Sequence, residues 1–272
     1  MTTFETPGKT LVRIAIGSGD VRIDATPDPR TDVELVALRD DDVTRSAIAE
    51  ATVEARQRGD RTEVVVELPR RGGWSFLGRG PSVGVRVRCP HGADADVSTA
   101  SADVTTTGPL GDVEAKCASG DIALDVVGAL KASTASGDVT AREILGTGNA
   151  KTASGDVSIR LAHGELSLNL ASGDAVVGEA KGPLSIATVS GDQEIDSVEN
   201  GEIKLQSVSG DVRVGVRPGL LLSIDATSVS GSMQSELPMD EGLQPEGEPE
   251  IHLRARTVSG DVRIVRASTV PI

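Results

Sequence analysis

The octapeptide Thr257-Val258-Ser259-Gly260-Asp261-Val262-Arg263-Ile264 is the clearest copy of a unit that recurs along this chain. Ser-Gly-Asp is turn chemistry, because glycine and the short polar side chains accept tight backbone geometry. After it, Val262 and Ile264 alternate with Arg263, the period of two that marks a half-buried strand.

Working outward, Ser-Gly-Asp begins at Ser119, Ser136, Ser154, Ser172, Ser190, Ser209 and Ser259, with a degenerate Ser101-Ala102-Asp103 ahead of them and Ser230-Gly231-Ser232 among them. From Ser101 the successive spacings are 18, 17, 18, 18, 18, 19, 21 and 29 residues. A second glycine column (Gly128, Gly146, Gly164, Gly182, Gly201, Gly219) falls between the tripeptides. Each unit thus has two corners and two strand-length segments.

Alignment on the serine separates inside from outside. Six residues before it stand Val113, Leu130, Leu166, Leu184, Ile203, Ile224 and Leu253, and three after it Val104, Ile122, Val139, Val157, Val212 and Val262. Lys116, Lys131, Lys151, Lys204, Arg213 and Arg263 occupy alternate positions. A helix would need an apolar period of 3.6. Equal spacing of near-identical units favours stacked rungs over a string of antiparallel hairpins. The expected fold is all-β: a parallel β-solenoid of ~9 two-strand rungs whose thin core no single unit could bury. The small residues just before the serine (Ala118, Ala135, Ala153, Ala171, then Val189, Val208 and Val229) are expected to fit a narrow corner.

The division expected is 1–92 as a cap-like strand and helix region and 93–272 as the repeat solenoid, with an acidic insertion at 236–250. Within the first part, Ser18-Gly19-Asp20 resembles a repeat unit separated from the main array. Asp42 to Glu50 reads as a short helix capped by Asp41 or Asp42, and Gly59-Asp60 as the turn of a hairpin. A solenoid end needs such a cover, because a bare rung exposes apolar side chains and strand edges.

Composition narrows the function. The 272 residues carry 41 acidic against 27 basic side chains, and Phe4, Trp74 and Phe76 are the whole aromatic supply. That excludes base-stacking nucleic-acid recognition and argues against phosphate tracking. It also leaves little to build a sugar-stacking groove. Two cysteines and three histidines are too few for a multi-ligand zinc module. The first residues lack a signal pattern and no run is long enough to span a membrane, so the expected location is the cytoplasm, with envelope association as the alternative.

The opening Phe4-Glu5-Thr6-Pro7-Gly8-Lys9-Thr10-Leu11-Val12-Arg13-Ile14, the strand-and-helix lead-in and the Thr-Val-Ser-Gly-Asp-Val repeats together resemble the bacterial β-strand-repeat "putative adhesin" family, a domain of unknown function. The resemblance implies a right-handed β-helix, often envelope-associated. It brings no catalytic residues to transfer.

Two features invite a site. Asp121, Asp138, Asp156, Asp174, Asp192, Asp211 and Asp261 should line one edge of the stack. Each is read as a structural turn residue whose carboxylate accepts from its own corner's backbone, rather than as part of a cation ladder. The second is the loop with Arg70, Arg71, Trp74, Phe76 and Arg79, a candidate interaction surface because Trp and Arg often dominate interfaces. No catalytic, metal or cofactor residues are assigned. The expected function is a non-enzymatic solenoid scaffold that binds a protein partner, with association of copies through solenoid ends as a further partner class. The alternatives are an adhesin-like or carbohydrate-binding module, then a β-helix lyase or hydrolase.

Overall fold

The computed structural model describes residues 1–69, 80–217, 220–237 and 251–267. The chain is an all-β parallel β-solenoid, with one short helix among the described residues, arranged as two compact units, Met1–Asp138 and Val139–Ile272.

The first unit contains β1 (Thr2–Glu5), β2 (Lys9–Thr26), β3 (Arg30–Ala37), α1 (Asp42–Ala49), β4 (Thr52–Arg58) and β5 (Arg61–Glu67). It continues with β6 (Val83–Pro90), β7 (Asp94–Thr107), β8 (Pro109–Leu110), β9 (Val113–Lys116), β10 (Ile122–Val127) and β11 (Leu130–Thr134). The 18-residue β2 is a complete rung, two legs joined through Ser18-Gly19-Asp20. It runs parallel to β7 from Leu11 opposite Asp94 to Asp24 opposite Thr107, which seats Ser18 on Ser101 and Asp20 on Asp103. The opposite edge of β2 is also occupied: β5 pairs with its first leg and β6 with its second, both parallel. The first rung in the chain is therefore flanked on both sides by later ones.

Beyond β5 and β6 the direction reverses. β4 pairs antiparallel with β5, β3 with β6, and β1 with β3. Asp41 caps α1, its carboxylate accepting from the Thr44 N–H at 2.7 Å. Buried Thr44 in turn accepts from the Ser82 N–H at 3.2 Å, tying the helix to the strand that follows.

The second unit contains β12 (Val139–Ile144), β13 (Gly148–Thr152), β14 (Val157–Ala162), β15 (Leu166–Ser172), β16 (Ala175–Ala180), β17 (Leu184–Ser190) and β18 (Gln193–Val198). After them come β19 (Gly201–Ser209), β20 (Val212–Val216), β21 (Leu222–Ser230), β22 (Met233–Ser235), β23 (Ile251–Ser259) and β24 (Val262–Arg266). Equivalent legs stack in parallel and in register: Leu166 on Leu184, Leu184 on Ile203, and Ile203 on Leu253. The inward columns are buried, with Leu168, Leu205, Val214 and Leu253 fully so.

Here too the stacking order departs from the chain order. β19 pairs with β23, and β23 pairs on its other edge with β21. β24 likewise lies between β20 and β22. The last described rung of the chain is inserted one place inward, and Leu222–Ser235 forms the outer rung.

At the Ser-Gly-Asp corners, backbone passes directly over backbone. A Cβ on Gly210 (φ +146°) would lie 2.1 Å from the Gly191 carbonyl oxygen, and one on Gly260 would lie 2.1 Å from that of Gly210. Only glycine fits that approach.

Candidate interaction surface

Three columns meet at these corners. The first is the aspartates. Along this column carboxylates accept from the next rung: Asp121 donates its N–H to Asp103 and Asp138 to Asp121, at 3.0 and 2.9 Å. In the second unit Asp174, Asp192, Asp211 and Asp261 donate in the same way to Asp156, Asp174, Asp192 and Asp211, all at 2.8 Å. Asp261 completes the series by accepting from the Ser232 N–H, and this bond, with Arg263 nearby, holds its carboxyl below the usual value.

The second column points inward. Thr134 and Thr152 accept from the amides of Gly137 and Gly155 at 3.0 and 2.8 Å, each closing its own corner. Cys117 replaces threonine in its rung and does the same with sulfur, accepting from the Gly120 N–H at 2.8 Å and from the Thr99 hydroxyl at 3.0 Å. Both cysteines are free thiols, and burial pushes the Cys89 thiol up to about 12.

The third column is the residue before each serine, and it does not fill a narrow corner as expected. Alternation places threonine inside, so the next side chain must point out. In the second unit Val189, Val208, Val258 and Val229 are 53%, 50%, 49% and 77% exposed. The pairing of Ser190 with Ser209, Ser209 with Ser259 and Ser259 with Ser230 puts them on four consecutive rungs in that spatial order. At ~4.8 Å per strand the row is about 14 Å long. Exposed serines and the aspartate column flank it on one side.

The remaining candidates separate. Arg70, Arg71, Trp74, Phe76 and Arg79 lie outside the described residues, as does most of the acidic insertion. His163 bonds Glu143 at 2.8 Å at a second-type corner, while His91 and His252 are exposed. Among the described residues no three His, Cys, Asp or Glu side chains gather as a metal-holding group, and no helix is long and apolar enough to cross a membrane.

Stacked two-leg rungs, glycine corners and an aspartate ladder define a β-solenoid repeat protein. Within that class the chain belongs to the Toastrack DUF4097 family, whose model matches residues 22–265, in agreement with the resemblance carried by its repeats. A comparison with curated proteins returns no match. Among solved structures, a "putative lipid binding protein" from Parabacteroides distasonis is similar at 14% identity and a TM-score of 0.46, over 97% of this chain and 96% of that one. A "putative adhesin" from Parabacteroides merdae is similar at 12% identity and a TM-score of 0.37, over 97% and 95%. A "putative cell adhesion protein" from Clostridium sporogenes is similar at 10% identity and a TM-score of 0.24, over 96% and 93%.

Proposed function

We propose that this chain is a non-enzymatic binding scaffold that presents the valine row of its second unit to a protein partner. The observation that carries this reading is the exposure of Val189, Val208, Val258 and Val229 in register on four adjacent rungs. Solvent-facing valine contributes nothing to the solenoid core, and the equivalent positions Ala118, Ala135, Ala153 and Ala171 show that alanine suffices for the corner. An apolar strip rimmed by polar side chains is the usual anatomy of a protein contact. The scarcity of aromatic rings makes a carbohydrate ligand the poorer fit. The free thiols Cys89 and Cys117 support a reducing compartment, so the cytoplasm is the location proposed.

The test is quantitative cross-linked capture from the native cell with the parent and with a Val189→Thr, Val208→Thr, Val258→Thr variant, which keeps the β-branched shape. A partner retained by the parent and lost by the variant supports the reading. Equal capture by both would remove the valine row from it. Cell fractionation separates the cytoplasmic proposal from the envelope-associated adhesin-like alternative.

A further inference from the structure

We propose that the bare outer rung of the second unit, β21 with β22, is where a second copy of this chain docks edge to edge, forming a two-fold pair. β21 is hydrogen-bonded to β23 along one edge, and among the described residues no strand lies along the other. The core columns continue into this rung, and among the described residues nothing covers them. Leu222, Ile224 and Ala226 are only half-buried and Met233 is 55% exposed, whereas Ile251, Leu253, Ala255 and Val262 one rung inward are buried. They leave an open apolar groove of about 450 Å³, floored by Val262 and Ile264.

A second copy fits this groove better than an unrelated partner because the edge is complementary to itself. An antiparallel pairing of two β21 strands centred on Ile224 sets Ile224 against its own counterpart and Leu222 against Ala226. Residues directly opposite in such a pair share a face, so every half-buried position of one copy meets a half-buried position of the other. A two-fold axis normal to the strands also keeps both cores on the same side, so Met233 of each copy enters one shared core. The charges agree: Asp225 is the only ionisable side chain in β21, and this register places it opposite the neutral Ser223, whose neighbour on the next strand is His252. Like charges are not opposed.

Natural edges that must stay free are usually blunted by charge. The antiparallel strand β4 of the first unit, paired with β5, follows that rule with Glu54, Arg56 and Arg58. β21 is not blunted. Because both copies use the same edge, a two-fold pairing at β21 closes after two copies and does not propagate into a filament.

The test is sedimentation velocity of the whole chain over a concentration series, with Ile224→Lys and, because that change is half-buried and could disturb folding, Met233→Glu at a mostly exposed position. The expected result is a concentration-dependent dimer without larger species, weakened about tenfold or more by either variant, with circular dichroism melts that remain cooperative. Oxidation of Ile224→Cys should trap the dimer alone. A parent that stays monomeric would overturn the proposal, as would a dimer indifferent to both variants or a ladder of polymers. A parent that dimerises only after residues 238–250 are deleted would also overturn it, because the chain's own segment would then be the occupant.

Discussion

Asp261 donates its backbone N–H to the carboxylate of Asp211 at 2.8 Å, although 50 positions of chain separate them. The same bonds from Asp174, Asp192 and Asp211 join residues 18 or 19 apart. The long step exists because β23 and β24 are inserted between β19–β20 and β21–β22. The aspartate column follows the spatial order of the rungs, not the order of the chain, and each carboxylate reports which rung lies next to it. Asp211→Ala should remove the acceptor for the Asp261 amide and cost about 1 kcal/mol. Asp211→Asn, which keeps a carbonyl oxygen, should cost less. Urea unfolding of the two variants beside the parent measures the difference, and calcium should leave all three curves unchanged.

Acid should loosen the outer rung. The Asp261 carboxyl is held below its usual value of 3.8, first by the Ser232 N–H. A lowered folded value means the contribution is complete above the unfolded value and is lost as pH falls through the folded one. Glu114, lowered chiefly by its bond from Lys116, and Glu202, lowered chiefly by its bond from Lys204, act in the same direction. Thermal melts between roughly pH 5 and pH 3 should therefore fall in midpoint, and Asp261→Asn should flatten the slope without abolishing it.

Cys117 tests the inward column. Its sulfur receives the Gly120 N–H in place of the hydroxyl that Thr134 and Thr152 offer in their own rungs. Cys117→Thr should restore the common residue and leave the melting temperature unchanged or higher. Cys117→Ala should strand the buried amide and cost about 1–3 kcal/mol. In the Cys117→Thr protein, Cys89 should resist thiol reagents until the chain unfolds, since burial keeps that thiol protonated with a value near 12.

The solenoid was legible because its two signals are local. Period-two alternation in Val157-Ser158-Ile159 and glycine at Gly191 and Gly210 follow directly from a strand and a corner. The capped helix at Asp42–Ala49 and the hairpin of β4 and β5 were legible for the same reason. Rung order was not. Ile203, Ile224 and Leu253 fill the same inward column, so nothing in their side chains specifies that Leu253 lies between the other two. Ser18-Gly19-Asp20 was recognisable as a unit, yet its seat on Ser101 is set by the return of β5 and β6 along its far edge. Gln193 interrupts an apolar column, and only the packing explains it: its amide donates to Thr188 Oγ1 at 2.9 Å and to the Gln206 carbonyl at 2.7 Å. The valine row was visible as letters but was assigned to the corner, because alternation across a turn does not say where inside becomes outside.

Because the last described rung is inserted inward, the rung that is later in the chain should matter more to stability. Deleting residues 220–250 removes the outer rung and joins β20 to β23 through Arg217, Pro218 and Gly219. That connection is one residue longer than the natural Glu199-Asn200 link between β18 and β19, so the corner can close. β23 and β24 keep their pairing with β19 and β20, including Ile203 on Leu253 and Val212 on Val262, and the protein should still melt cooperatively. Ending the chain after Leu237 likewise deletes two described strands, β23 and β24, but these are the inner rung. Leu205, Val212 and Val214, all fully buried, would lose the neighbours stacked on them, and β21 would have to move inward by one ~4.8 Å strand spacing to replace them. Uncovering even one buried leucine costs about 2–5 kcal/mol when its contacts are not restored. The truncated chain should therefore melt at a clearly lower temperature than the internal deletion. Equal melting of the two, or a more stable truncation, would mean that β21 and β22 occupy the inner place as readily as β23 and β24 do.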